Sequence, residues 1–234
     1  SCRYNYRLLF YMSTYLLINI LIIFFPLILS FDKNLKFYKK VPYVLQSIAF
    51  ISTAHIVWDV IATERGDWAF SPEHLIGFYI LGLPLEEILF FITVPYACIF
   101  IFETVSFYVK EKKLNFNKKL SIIPAVILIV LGIIFYDQNY TFTVSIFAAA
   151  FFIGAVLFNE SLLASRNFWI TMLVSFLPFL ILNYFLTSIP VVTYNETAFS
   201  GKRFITIPYE DFLFSFSMIS LWLLFYELAK EKKR

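Results

Sequence analysis

Two acidic tetrads, Pro84-Leu85-Glu86-Glu87 and Pro208-Tyr209-Glu210-Asp211, open two apolar runs whose numbering is offset by 124. The runs close at Glu103 and Glu227, and no gap is needed to align them. The proline, the first glutamate, Leu89/Leu213, Phe90/Phe214 and the closing glutamate are identical, while the second acid is Glu87 in one copy and Asp211 in the other. An ionised carboxylate in hydrocarbon costs about 3 kcal/mol, so four cost on the order of 10 kcal/mol before pairing. Burial and a like-charged neighbour both favour the neutral acid, and a neutral carboxylic acid in an apolar site is a proton donor at neutral pH. Phe90, Phe91, Phe212, Phe214 and Phe216 follow closely, and aromatic faces attract cations. An acid beside rings in a dry chamber suits protonation of an alkene and containment of the carbocation that results. Each feature also has a plain structural reading. Acids after a helix-start proline complement the helix dipole, and phenylalanines pack. Repetition at equal spacing is what argues for chemistry.

The elements that must position these groups are membrane helices. The chain is 60% hydrophobic and 21% aromatic, with a mean hydropathy of +0.77, which places most of it against lipid or between lipid-facing helices. Apolar runs long enough to cross about 30 Å of hydrocarbon lie near 8–30, 42–62, 84–105, 120–136, 141–158, 167–188 and 208–229. The expected fold is therefore all-α, a polytopic membrane protein of seven transmembrane helices and a single membrane domain over 1–234. With no basic-then-apolar leader ending in a small-residue cleavage site, the first span is expected to be retained. Fourteen of the 19 Lys and Arg residues fall in 31–41, 106–119, 159–166 and the C-terminus; Arg3, Arg7, Arg65, Lys202 and Arg203 are on the other side. This asymmetry predicts the N-terminus outside and the C-terminus cytoplasmic, in a cell membrane, a bacterial inner membrane being the expected one. It also accounts for the net charge of +3 without a nucleic-acid partner.

The repeat reaches beyond the tetrads, since Asp59 and Thr63 align with Asn183 and Thr187 at the same offset. Spans one to three then correspond to five to seven, with the fourth as connector: a 3+1+3 parallel tandem repeat of half one (1–109), connector (110–140) and half two (141–234). The halves point the same way, related by an axis along the membrane normal, which brings both acid pairs to one depth around a shared centre. Pro84 suits the first turn of a helix, and Gly82 lets the chain bend ahead of it.

Other polar residues have competing roles. His55 and Asp59, at i and i+4, could form a relay, a hydrogen-bonded pair or a polar cavity lining; as metal ligands they are too few, and only His74 remains. Asp59 and Asp67 lack the paired aspartate-rich repeats that a Mg²⁺-diphosphate site would call for. Arg203, five residues before Pro208, either neutralises Glu210 or Asp211 or sits at the outer interface. Cys2 and Cys98 are too distant for a disulfide, leaving Cys98 to packing. Glu103 and Glu227 oppose the dipole at the far helix ends and call for lysine partners. A tandem transporter shares this architecture.

Taken together, Pro-x-Glu-Glu and Pro-x-Glu-Asp on seven spans, Trp58-Asp59, Gly66-Asp67-Trp68-Ala69-Phe70, Leu186-Thr187, Pro190-Val191-Val192, Tyr194-Asn195 and Gly201-Lys202-Arg203 resemble the integral-membrane lycopene cyclases. The resemblance covers roughly 40–105 and 165–230. No Rossmann-type glycine fingerprint is present, which separates the chain from flavin-dependent cyclases. What the resemblance implies is a redox-neutral isomerisation of a linear carotene with no cofactor and no metal. Glu86 or Glu210 would protonate the terminal alkene, and the next alkene would close a six-membered ring. Glu87, Asp211 or Asn183 would take up the proton or steer the cation, and His55, Asp59, Phe90, Phe214 and Arg203 would contribute to substrate binding. The implied partners are a hydrophobic carotenoid and the bilayer, with a homo-oligomer compatible. A carotenoid hydratase would use the same protonation, with water capturing the cation.

Overall fold

A computed structural model of the protein describes residues 13–115 and 118–232. Cys2, Arg3, Arg7, the start of the expected 8–30 span, Lys233 and Arg234 lie outside the described residues. Seven helices of 16 residues or more are formed among the described ones: α1 Thr14–Leu29, α2 Phe37–Arg65, α3 Leu85–Tyr108, α4 Lys118–Ile134, α5 Asn139–Phe158, α6 Arg166–Ser188 and α7 Tyr209–Glu231. Each falls on one of the seven apolar runs. Five, namely α2, α3, α5, α6 and α7, are long and apolar enough to cross a membrane, whereas α1 and the apolar stretch Ser121–Ile134 of α4 are shorter.

The helices are not uniform rods. Prolines interrupt α1 (Pro26), α3 (Pro95), α4 (Pro124) and α6 (Pro178), and α2 contains a π-helical turn over Ile48–Ser52. Such a turn re-aims the residues that follow, here His55, Trp58 and Asp59. It is pinned from both sides. Ser52 donates to the Phe91 carbonyl at 2.6 Å and accepts from the Trp222 indole at 3.1 Å, and Ser47 donates to the Trp222 carbonyl at 2.7 Å.

Loops between helices carry short β pairs that the all-α expectation does not contain. Strands β1 (Trp68–Phe70), β2 (Tyr79–Ile80), β3 (Leu83–Pro84), β4 (Val192–Tyr194), β5 (Arg203–Phe204) and β6 (Ile207–Pro208) form three antiparallel pairs. Hairpin β2–β3 pairs Tyr79 with Pro84 and Ile80 with Leu83; hairpin β5–β6 pairs Arg203 with Pro208 and Phe204 with Ile207, the same register 124 positions on. Leu81 and Ile205 at the hairpin tips have positive φ, 52° and 59°, and Gly82 follows at 83°, a conformation glycine adopts without a Cβ clash. Pro84 and Pro208 close the hairpins in extended geometry, ψ 145° and 142°, so they sit one residue ahead of the first helical turn rather than in it. Leu85 and Tyr209 then donate back to the carbonyls of Phe78 and Lys202.

Strand β1 pairs with β4, matching Trp68 with Tyr194, Ala69 with Thr193 and Phe70 with Val192. An antiparallel pair has a local two-fold axis, and this one passes midway between residues 69 and 193, which are themselves 124 apart. Helix packing follows the same rule. Helix α1 packs on α3 as α5 packs on α7, and across the halves α2 packs on α7 as α6 packs on α3, while α4 leans on α5. The interior is mostly aromatic and aliphatic, with Phe37, Phe91, Phe151, Phe168, Trp222 and Tyr226 among its fully buried side chains.

At the helix ends opposite the tetrads, Glu103 forms ion pairs with Lys40 and Lys230 and accepts from the Tyr226 hydroxyl at 2.5 Å, while Glu227 pairs with Lys230 at 2.7 Å. The closing glutamates therefore have the lysine partners their positions call for.

Candidate active site

The tetrads start α3 and α7, so consecutive acids are about 100° apart around each helix and face different surroundings. The first acid of each pair turns to its own loop. Glu86 Oε1 accepts from the Ile76 amide at 2.6 Å and the Ser13 hydroxyl at 2.7 Å; Glu210 Oε1 accepts from the Ser200 amide at 2.8 Å and the Thr141 hydroxyl at 2.8 Å. Ile76 and Ser200 are again 124 apart. These two glutamates tie the hairpin loop to the first helix of each half. Substituting Glu86 by alanine would leave buried donors unpaired at about 1–3 kcal/mol each. Glu86→Ala is therefore expected to lower thermal stability in detergent by at least about 2 kcal/mol, with Glu86→Gln clearly milder. Equal melting behaviour of wild type and Glu86→Ala would refute the tying role.

The second acids turn inward. Glu87 and Asp211 both line a cavity of about 400 Å³ that draws on both halves. Glu87 Oε2 accepts from the Tyr15 hydroxyl at 2.5 Å, and Asp211 Oδ1 from the Tyr140 hydroxyl at 2.5 Å. Asp211 Oδ2 also accepts from Asn183 at 2.8 Å and Tyr194 at 3.0 Å. In the first half the residue equivalent to Asn183 is Asp59, whose carboxyl contacts that of Glu87. Its Oδ1 takes the Trp68 indole N–H at 2.7 Å, and its Oδ2 is buried with no other partner. Asp59, Asn183, Tyr15, Tyr140 and Tyr194 all line the same cavity. In the loop outside the spanning helices, burial and then the Asp211 carboxyl push the Tyr194 hydroxyl well above the usual phenol range, so it remains a donor.

Apart from these polar groups and the hydroxyls of Ser175 and Ser215 the walls are apolar. Phe90, Phe91, Trp58, Trp68 and Phe214 surround the acids, and Val94, Ile101, Phe179 and Leu182 continue the lining. Trp58 stands 5.6 Å from Trp68 and 5.4 Å from Phe214, ring centre to ring centre, so several π faces border one small volume. Leu21 of α1 and Ile181 of α6, both exposed, also line it, so its wall there reaches the outer surface of the helices.

Not every residue singled out from the sequence arrives here. Glu86 and Glu210, expected as proton donors, do not line the cavity. His55 is fully buried beside it, its Nδ1 donating to the Ile51 carbonyl at 2.8 Å, with Nε2 lacking a partner. It makes no hydrogen bond to Asp59; instead the rings of Trp58, Phe91, Phe147, Phe214 and Trp222 enclose it at 4.5–6.2 Å. Arg203 pairs with Glu196 at 2.7 Å and stacks over Phe199 at 4.8 Å, so it neutralises neither Glu210 nor Asp211. Asp67 is taken by Arg65 and Asn139. Among the described residues no three His, Cys, Asp or Glu side chains cluster as a metal-binding set.

Tyr15 and Tyr140, which donate to the inner acids, carry no mark in the gapless repeat. Tyr15 and Tyr140 are offset by 125, not 124, so a gapless alignment of the halves does not pair them. A one-residue shift between the first helices would have found them.

Comparison with known proteins yields a family model, described as Lycopene cyclase, that matches residues 12–105 and 137–229. Those two stretches make up most of the chain and contain every cavity acid. No curated protein and no solved structure matches significantly.

Proposed function

Because the chain belongs to the lycopene cyclase family, we propose that it closes the ends of a linear lycopene-type carotene into six-membered rings by acid-initiated isomerisation. The observation that carries this reading is that the second acid of each tetrad, one from either half, faces a single apolar cavity walled by aromatic rings. A carboxylic acid there gives a proton to the terminal alkene. The tertiary cation that forms is drawn to the π faces of Trp58, Trp68, Phe90 and Phe214 and is attacked by the next alkene. Loss of a proton from the new ring restores neutrality. Only protons and π electrons move, so the isomerisation is redox-neutral and calls for no cofactor. Glu87, Asp211 and Asp59 are the acids placed for it, with Asn183 and the three tyrosines as hydrogen-bonding partners. Glu86 and Glu210 act on the loops.

The seven helices are assigned as seven spans of a multi-pass membrane protein, N-terminus outside and C-terminus cytoplasmic, as the basic residues indicate. Halves 1–109 and 141–234 are taken as like-facing repeats joined by the connector 110–140. The shared hairpin register and the symmetric β1–β4 pairing support that reading. A transporter would need a polar path through the helices. The lining beyond the acids and their hydrogen-bonding partners is apolar except for Ser175 and Ser215, and the closing glutamates are held in ion pairs.

The test is expression in lycopene-accumulating bacteria with chromatography of the pigments. Ring-bearing carotenes are the expected product. Hydroxylated acyclic products would replace cyclisation by hydration, and unchanged lycopene would overturn both.

A further inference from the structure

Resting on the cyclase reading, we infer that the two halves have divided the proton transfers: the Glu87–Asp59 pair delivers the proton, and Asp211, held by Asn183, Tyr140 and Tyr194, receives it back from the closed ring. The donors around the two inner acids differ. Around Asp211 every partner is a donor: two phenol hydroxyls and a side-chain amide occupy both carboxyl oxygens at 2.5–3.0 Å. A carboxyl so surrounded is built to accept. In the first half the amide is replaced by Asp59, at the equivalent position. Two carboxyls have no hydrogen to offer each other unless one of them carries a proton. Their contact, together with an Asp59 Oδ2 that has no other partner, is satisfied by one proton held between them. This pair is built to give.

The steps balance. An O–H bond of the pair breaks as a C–H bond forms on the CH carbon of the terminal trisubstituted alkene, leaving a tertiary cation. The π electrons of the next alkene form the ring C–C bond and move the cation into the ring. A C–H bond beside it breaks, its electrons become the ring double bond, and the proton passes to Asp211. One proton enters and one leaves, without oxidant or reductant. Tyr194, bonded to Asp211, and Tyr15, bonded to Glu87, line the cavity that lies between the two acids.

The division is tested with membranes containing wild type, Asp59→Asn, Asp211→Asn or Asn183→Asp, incubated with lycopene in deuterium oxide. Chain amount is normalised, and products and recovered substrate are read by mass spectrometry. Asp59→Asn, which gives half one the carboxyl–amide arrangement of half two, is expected to lose ring formation at least about a hundredfold and to leave recovered lycopene free of deuterium. Asp211→Asn is expected to lose ring-bearing product comparably, yet to place deuterium on the terminal alkene of recovered lycopene or yield hydroxylated product, because the cation still forms. Asn183→Asp should behave like Asp211→Asn in a milder form and stands in for it if that variant does not accumulate. Ring formation by Asp59→Asn within tenfold of wild type would overturn the division, as would the absence of both deuterium uptake and hydroxylated product in Asp211→Asn and Asn183→Asp. Wild type that forms no ring would instead remove the cyclase reading itself.

Discussion

Glu87→Gln is expected to lower the yield of ring-bearing carotene at least about a hundredfold, the scale on which removal of a general acid is felt. Glutamine keeps the length of the side chain, and its amide oxygen can still accept from Tyr15, so the cavity wall survives while the exchangeable acid proton is lost. The measurement is pigment chromatography from lycopene-accumulating cells, divided by the amount of chain in the membrane. Activity within tenfold of wild type would take Glu87 out of the chemistry and shift attention to the acids that face the loops. The neighbouring Glu86 provides the control. It is buried just as deeply, but its Oε1 is committed to Ile76 and Ser13 and the residue does not line the cavity, so its loss is felt chiefly in stability.

At the other end of the helices, Glu103→Ala is expected to destabilise the protein by about 3 kcal/mol, the lower range for breaking a buried ion pair. Glu103 is itself buried, and its removal strips Lys40, Lys230 and the Tyr226 hydroxyl of their shared acceptor. The lower end of the range applies because both lysines are about a quarter to a third exposed and regain some water. Tyr226→Phe removes one hydrogen bond and should cost about 1 kcal/mol. Thermal unfolding in detergent distinguishes the two. An unchanged midpoint for Glu103→Ala would mean that the network contributes nothing to holding α2, α3 and α7 together.

Both expectations arise from groups that a repeat alignment brings to notice but cannot orient. Glu103 and Glu227 are equivalent by number, yet Glu103 takes two lysines and a tyrosine while Glu227 shares one lysine, because Lys40 and Tyr226 reach only the first. Asp59 and Asn183 are likewise equivalent by number, and only their neighbours give the difference between carboxyl and amide a consequence.

The sequence by itself determined the positions of the seven helices, the offset of 124 and the family. A bilayer admits few backbone solutions, so apolar runs of spanning length fold as helices, and each tetrad marks where a helix begins. It did not determine which acid of a pair faces the cavity, since adjacent residues differ by about 100° around a helix and Glu86 and Glu87 are chemically alike. Nor did it determine that Tyr15 and Tyr140 hold the inner acids, that His55 is enclosed by rings, or that Arg203 turns to Glu196. Those outcomes depend on the packing of α1 on α3 and α5 on α7 and on the hairpins ahead of each tetrad. Contacts between residues some seventy positions apart are set by how helices lie against one another, which local pattern does not encode.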